Sequence, residues 1–166
     1  MEGWSMSACG VERAGRLADY DREDCLIYGI GNVGRQDDGL GWALIDWLEE
    51  TGRCARAEVA RCYQLQLEDA DRISQMRRVL FVDATRAADV GDIRVEAVGP
   101  RMDPSFTSHA VSVPTIVATC ACCFGRAAEV QLLAIKGYAW ALEIGLTEHA
   151  GRNLDKAKTL FRGERR

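Results

Sequence analysis

The chain has 166 residues, the length of one ordinary domain and enough for a substantial hydrophobic core. Its formal net charge of -4 offers no basic surface, which disfavours a nucleic-acid-binding protein. No apolar run reaches the ~18 residues of a membrane-spanning helix, and residues 1–24 lack the apolar segment of a signal peptide.

The predicted elements alternate between strands and helices along the chain. Residues 1–24 are rich in acidic side chains and are predicted to form a mobile arm before a folded domain over residues 25–166. Apolar runs predict strands at 25–30, 58–63, 78–83, 93–98 and 130–135. Helical periodicity predicts helices at 39–50, 65–74, 113–124 and 147–161, the last with Thr147 as its N-cap.

This alternation predicts an α/β fold, a single three-layer domain with a twisted, mostly parallel five-stranded sheet flanked by helices on both faces. Such sheets bind ligands at the carboxyl ends of the strands. Residues 31–38 follow the first strand and Asp83 ends the third, so neighbouring strands would bring Asp38 and Asp83 to one edge. His109, in the polar loop 105–112, would close over the same edge.

The first strand runs into a glycine-rich loop that ends in two adjacent carboxylates. Gly29, Gly31 and Gly34 spell the G-x-G-x-x-G of a dinucleotide site. A pyrophosphate, however, would need the positive N-terminal end of the next helix, where Asp37 and Asp38 place negative charge. The loop is therefore predicted to receive a cation.

Two carboxylates and an imidazole form a ligand set suited to a divalent first-row metal ion with open coordination positions. Each residue also has a structural interpretation: Asp37 or Asp38 could cap a helix, Asp83 could accept hydrogen bonds from the next turn, and His109 could be an ordinary loop histidine. His149 belongs to no motif and is predicted to be solvated.

The cysteines indicate a reducing compartment, because the chain has 7 of them without the spacing of a disulfide framework. We therefore expect a cytoplasmic protein. Cys120 and Cys123 would share one helix face, where free thiols pack as small hydrophobic groups. Without a second cysteine pair at zinc spacing, this cluster gives little support for a metal site.

Several motifs together resemble the maturation proteases of nickel-iron hydrogenases. The family pattern G-x-G-N followed by D-[DE]-G-x-G falls on Gly29, Gly31, Asn32, Asp37, Asp38, Gly39 and Gly41. Further matches are the strand at residues 79–85, the Ser108-His109 pair and residues 144–147. The resemblance extends over residues 25–161, but residues 60–68 depart from the Asp-Gly-Gly-Thr type turn of many members.

The resemblance implies an endopeptidase that removes the C-terminal extension of a hydrogenase large-subunit precursor after nickel insertion. It places the catalytic and metal-contacting roles on Asp38, Asp83 and His109. It places the supporting loop on Gly29, Gly31, Asn32, Asp37 and Gly39. It also implies nickel that is transient and supplied by the substrate, no organic cofactor, the precursor as partner, and neither nucleic acid nor membrane.

The motifs of a serine hydrolase and of a zincin, G-x-S-x-G and H-E-x-x-H, do not occur in the sequence. We therefore expect attack by a water molecule while the substrate's nickel is docked at the site.

Three other classes remain open. A Rossmann oxidoreductase would need an acidic residue at the end of the second strand, and Glu58 lies at the wrong end. A metal-dependent hydrolase of small substrates would hold its metal permanently. A non-catalytic module would bind metal or precursor without cleavage.

Overall fold

The computed structural model describes residues 17–102, 111–126 and 128–162. The strands in this part of the chain are β1 (Cys25–Ile30), β2 (Glu58–Cys62), β3 (Arg78–Thr85), β4 (Ile93–Ala97) and β5 (Glu129–Lys136). The helices are α1 (Leu40–Thr51), α2 (Asp69–Ser74), α3 (Val113–Phe124) and α4 (Glu148–Thr159). Short 3₁₀ helices lie at Leu17–Tyr20 and Gln36–Gly39.

The strands form one sheet in the order β2-β1-β3-β5-β4. The first four of these are parallel, and β4 pairs antiparallel with β5. Helices α1 and α4 cover one face and α2 and α3 the other, each pair enclosing its own hydrophobic core. The predicted α/β fold with a mostly parallel five-stranded sheet is confirmed.

The central strands are apolar because both of their faces are covered. Every residue of β1 is buried. Leu80 and Val82 of β3 point into the core beneath α1 and α4, whereas Val79 and Phe81 point into the core beneath α2 and α3. Asp83 follows in the same alternation as Phe81, and its backbone therefore directs the side chain towards the α3 face.

The boundaries of most elements agree with the sequence prediction, but α2 is shorter. It begins at Asp69 rather than at residue 65. The Asp69 carboxylate accepts a hydrogen bond from the Gln66 backbone N–H (2.8 Å) and another from the Tyr28 hydroxyl (2.8 Å). These bonds stabilise a turn before the helix, which periodicity alone does not reveal.

The described part of the chain begins at Leu17, and its first residues, which belong to the predicted arm, pack against the domain. Leu17 and Tyr20 are buried, and the Tyr20 hydroxyl donates a hydrogen bond to the side-chain oxygen of Gln131 (3.0 Å). Residues 1–16 of the predicted mobile arm lie outside the described residues.

Helix α3 places its cysteines in different environments. Cys120 is buried and its thiol lies 3.1 Å from the Arg126 carbonyl oxygen. Cys122 and Cys123 are exposed, so the prediction that Cys123 shares a buried face with Cys120 was wrong. The helix ends at Phe124 with Gly125 as its C-cap, and its last turn extends beyond the edge of the core. Of the helices described, none has the length and apolar character needed to cross a membrane.

Candidate active site

A cavity of about 520 Å³ opens at the carboxyl ends of the strands, where the connections of β1 and β3 leave the sheet. Asp38 and Asp83 both line it, as does Gly31. Its other walls come from Ile30, Leu132, residues 63–65 and residues 111–114. The sheet therefore brings together the two carboxylates that the sequence placed at one edge.

The glycine loop folds back on the 3₁₀ helix that carries Asp38. Gly31 has φ of +142°, and a Cβ atom on it would lie 1.9 Å from the Asp38 carbonyl oxygen. The Asn32 backbone N–H donates a hydrogen bond to that same oxygen (3.1 Å). The Asn32 side-chain oxygen in turn accepts a hydrogen bond from the Gly34 N–H (2.9 Å). Glycine at position 31 thus allows its backbone to lie against the backbone of Asp38, and this contact fixes the position of Asp38.

Gly41 has a second such role at the start of α1. A Cβ atom there would lie 2.3 Å from the Ile30 carbonyl oxygen and 2.6 Å from that of Val82. The helix can therefore approach the ends of β1 and β3 closely, which positions Asp38 over the carboxyl edge of the sheet.

The two cavity carboxyl groups hold their protons more tightly than usual. Burial raises the pKa of Asp83 to about 7, and the charge of Asp38 acts in the same direction against a hydrogen bond from the Ala84 backbone N–H. Burial also raises the pKa of Asp38, although Arg35 and Arg86 oppose this shift. Two acids in one partly buried cavity repel each other when both are charged, and a divalent cation between them would remove that repulsion.

Asp37 lies beside Asp38 in the chain but has a different environment. It is fully buried, and its carboxylate accepts hydrogen bonds from the backbone N–H groups of Tyr138 (2.7 Å), Ala139 (3.0 Å) and Thr147 (2.7 Å). The Thr147 hydroxyl donates a fourth bond (2.9 Å). Burial alone would raise the pKa of Asp37, but these bonds outweigh it and hold the pKa below its usual range.

The possibility that either aspartate caps α1 is not realised. The N-cap residue of α1 is Gly39, and no side chain caps it. Asp37 instead joins the 3₁₀ helix to residues 137–147, which connect β5 to α4. Thr147 caps α4 as predicted, through a hydrogen bond from the Ala150 N–H to its hydroxyl (3.2 Å).

Two contacts near the site were not predicted from the sequence: one at the cavity wall and one beside Asp38. Tyr63, in the cavity wall, is 63% exposed and its ring contacts that of Trp42 at a tilt of 38°, with centroids 5.0 Å apart. The guanidinium of Arg86 lies 4.3 Å from the centre of the Trp140 ring. The unusual sequence at residues 60–68 was the available signal for the contact of Tyr63. The contact between Arg86 and Trp140 gave no local signal, because the two residues are distant in the sequence.

The third predicted ligand, His109, lies outside the described residues, as does Ser108. Val111, two positions further along the chain, lines the cavity. Within the ranges that the structure describes, no group of three or more His, Cys, Asp or Glu side chains could hold a metal ion. His149 is exposed as predicted, with its ring 5.5 Å from that of Tyr138.

The geometry disfavours a dinucleotide site. Strand β2 begins at Glu58 and ends at Cys62, so a thiol occupies the strand end where a ribose-binding acid would be needed. The loop glycines pack against the chain's own backbone at Asp38 and Gly41. The space beside these glycines is therefore filled by the chain itself and is not open to a pyrophosphate.

No protein-family model matches the chain, and no curated protein matches it by sequence. Solved structures do match it. The [NiFe] hydrogenase maturation protease HycI from Thermococcus kodakarensis superposes with a TM-score of 0.66 at 18% identity, over 87% of this chain and 94% of that one. The hydrogenase maturating endopeptidase HybD from E. coli superposes with a TM-score of 0.65 at 15% identity, over 80% of this chain and 86% of that one. The endopeptidase HycI from Escherichia coli superposes with a TM-score of 0.59 at 20% identity, over 81% of this chain and 86% of that one.

These comparisons establish the fold. The chain has the architecture of the hydrogenase maturation proteases over most of its length. The resemblance predicted from the sequence motifs is therefore confirmed at the level of the fold.

Proposed function

We propose that this chain is an endopeptidase that removes the C-terminal extension of a nickel-iron hydrogenase large-subunit precursor after nickel insertion. The observation that carries the proposal is the cavity that joins Asp38 and Asp83 at the carboxyl ends of β1 and β3. The similarity in fold to solved hydrogenase maturation proteases supports it. We place the reaction in the cytoplasm, consistent with the free thiols of the described cysteines.

The chemistry of the two carboxylates fits a cation that arrives with the substrate. Oxygen ligands bind divalent first-row ions, and burial raises the pKa values of both Asp38 and Asp83, so their charged forms are disfavoured until a cation enters. We propose that both residues contact nickel held by the precursor. His109 is proposed as the third contact on the strength of the sequence resemblance.

Nickel docked in this way would supply a Lewis acid beside the scissile peptide bond. We propose that the attacking water is activated by the metal or by one of the two carboxylates. The water oxygen forms the new bond to the carbonyl carbon, the C–N bond breaks, and the proton passes to the leaving amine. Arg86 exerts its charge on Asp38, and we propose that the same charge stabilises a carbonyl oxygen that gains negative charge.

The cavity walls suggest how the cleaved segment is received. Tyr63, Leu65, Val113 and Pro114 line the cavity together with the two aspartates, so the lining is largely apolar apart from its acidic groups. A peptide with an apolar residue beside the metal-bound one fits this arrangement. The departure from the family turn at residues 60–68 therefore lies where it would affect the choice of substrate.

The test is incubation with a precursor in nickel-loaded and nickel-free forms, followed by mass spectrometry. We expect release of a short C-terminal peptide from the loaded form and an intact nickel-free form. Asp38→Ala and His109→Ala should abolish release, whereas Glu50→Gln, an exposed carboxylate at the end of α1, should leave it unchanged. Equal cleavage of both precursor forms, or full activity of the Asp38 variant, would contradict the mechanism.

A further inference from the structure

The connection between β5 and α4, residues 137–147, exposes two large aliphatic side chains. Leu142 is 87% exposed and Ile144 is 86% exposed. A single exposed leucine is common on protein surfaces. Two aliphatic side chains two positions apart with almost no protein contact are a less ordinary arrangement, and exposed apolar groups of this kind mark interaction sites when they occur together.

The backbone between these side chains is firmly held. Gln36 donates its backbone N–H to the Glu143 carbonyl oxygen (2.8 Å), and its side-chain oxygen accepts a hydrogen bond from the Ala141 N–H (3.0 Å). Asp37 fixes the two ends of the same connection through its four hydrogen bonds. Leu142 and Ile144 are therefore presented by an anchored segment rather than by a loose loop tip.

The anchoring has a conformational cost. Gln36 has φ of +48°, a left-handed conformation that is unfavourable for residues other than glycine. Such a conformation persists only where the surroundings enforce it, and it is found most often at functional sites. Here the hydrogen bonds hold, in spite of this strain, a segment whose Leu142 and Ile144 side chains contact solvent.

We propose that Leu142 and Ile144 dock into an apolar groove on the folded body of the protein whose C-terminal segment enters the Asp38–Asp83 cavity. This inference rests on the proposed function. The 3₁₀ helix Gln36–Gly39 carries Asp38 into the cavity and also holds residues 137–147 through Gln36 and Asp37. The two contact sites therefore have a fixed spacing, as two contacts on one partner would require.

The size of the exposed pair favours this partner over a second copy of the chain. A stable interface buries about 800 Å² on each partner, far more than two aliphatic side chains can contribute. A small apolar contact becomes effective when a second contact already holds the partner nearby, because the local concentration is then high. A bound C-terminal segment supplies that second contact.

The experiment compares the wild-type protein with the double variant Leu142→Ser/Ile144→Ser. The matched control is Phe124→Ser, a 42% exposed apolar residue at the far end of α3 from the cavity wall at Val113. Binding of the nickel-loaded precursor is measured by calorimetry, and processing is measured as kcat and KM. We expect precursor binding at least tenfold weaker in the double variant, with a raised KM, an unchanged kcat and an unchanged thermal midpoint. The control should stay within twofold of wild type.

Precursor binding by the double variant equal to that of wild type would overturn the inference and leave the proposed function intact. Wild-type self-association that the double variant loses, measured by sedimentation equilibrium, would identify a second copy as the occupant and also overturn it. If the wild type binds the precursor without cleaving it and the double variant loses that binding, the docking site stands and the proposed function fails. A wild type that does not bind the precursor contradicts both.

Discussion

Asp37 and Asp38 are neighbours in the chain with opposite electrostatic environments. The carboxylate of Asp37 has four hydrogen-bond donors and a lowered pKa, whereas Asp38 faces the cavity with a raised pKa. The charge of Asp37 is thus fully compensated within the fold. The charge of Asp38 is left to interact with whatever enters the cavity.

We predict that Asp37→Ala destabilises the protein by about 3 kcal/mol or more, because it leaves buried N–H groups at Tyr138, Ala139 and Thr147 without their acceptor. Urea unfolding at pH 7 would measure the change, with the exposed Asp71→Ala as a control. A loss below about 0.5 kcal/mol would contradict the assigned role. In the folded fraction, processing should be less affected than in the Asp38 variant, because the Asp37 carboxylate faces residues 137–147.

The pH dependence of the Asp37 contribution has a definite sign. Since the pKa in the folded state lies below that in the unfolded state, the stabilisation is present at pH values above the unfolded pKa. It is lost as the pH falls through the folded pKa. The stability difference between wild type and Asp37→Ala should therefore shrink in acid.

The contribution of Asp83 to stability depends on pH in the opposite direction. Its folded pKa of about 7 lies above the unfolded value, so its contribution is fully favourable below the unfolded pKa and is lost as the pH rises through about 7. We predict that Asp83→Asn stabilises the protein at pH 8 by an amount on the order of 2 kcal/mol and abolishes processing. The gain should fall towards zero near pH 4. A constant difference across that range would show that ionisation of Asp83 is not its cause.

The sequence could predict Asp38 and Asp83 as neighbours because Asp38 follows one apolar strand, Asp83 lies near the carboxyl end of another, and parallel strands end at a common edge. It could not predict the role of Asp37. The backbone groups that this carboxylate binds are more than a hundred positions away, at Tyr138 to Thr147, and backbone donors leave no side-chain pattern. The contact of the Arg86 guanidinium with the Trp140 ring also escaped prediction, because the two side chains are far apart in the sequence and belong to no local pattern.

Among the elements, the loop between β1 and α1 determines the site geometry. Gly31 and Gly41 allow backbone contacts that a Cβ atom would block, and they lie on either side of Asp38. The pattern of glycines was visible in the sequence, but it had two interpretations. The structure distinguishes them, because the space beside Gly31 is filled by the Asp38 backbone rather than left open for a ligand.

We predict that Gly31→Ala disrupts this loop, since the new Cβ would lie 1.9 Å from the Asp38 carbonyl oxygen at a φ of +142°. The expected result is a loss of stability of several kcal/mol and a displaced Asp38. Gly91→Ala is the matched control, because no atom lies within 4 Å of a Cβ there. Thermal unfolding and nickel titration of both variants would check this, and equal behaviour of the two would count against the close approach.

Element boundaries were predictable where periodicity is strong and less so where side chains form turns. Strand β1 and helix α3 begin and end where the sequence indicates. The start of α2 was misplaced because Asp69 organises a turn with Gln66 that has the same composition as a surface helix. Strand β4 alternates as expected, but its antiparallel pairing with β5 depends on a tertiary arrangement that alternation does not encode.

At the scale of the whole molecule, the sheet order places β1 between β2 and β3, with α1 and α3 on opposite faces. The crevice at the carboxyl ends of β1 and β3 therefore follows from the connectivity, as in other open α/β sheets. The two hydrophobic cores exist without any metal ligand among their members. Folding and cation binding should consequently be separable in this protein.

This separation leads to a prediction for the intact protein. We expect one nickel ion to bind weakly, with an affinity that rises with pH through about 7, because Asp83 must release its proton to act as a ligand. Each unit of pH below that value should weaken binding about tenfold if one proton is released. Calorimetry at pH 6, 7 and 8 would measure this, with Asp38→Asn as the binding-deficient control.

Protein from which the nickel has been removed with a chelator should unfold at the same thermal midpoint as protein that was never loaded, since the hydrophobic cores do not depend on the ion. The outcome that contradicts the prediction is zinc bound at one ion per chain that resists chelators, because a permanent metal needs a closed set of protein ligands and would favour a hydrolase of small substrates. An ion that leaves readily is instead what the proposed function requires, because the precursor would carry its nickel into the site before cleavage and out of it afterwards.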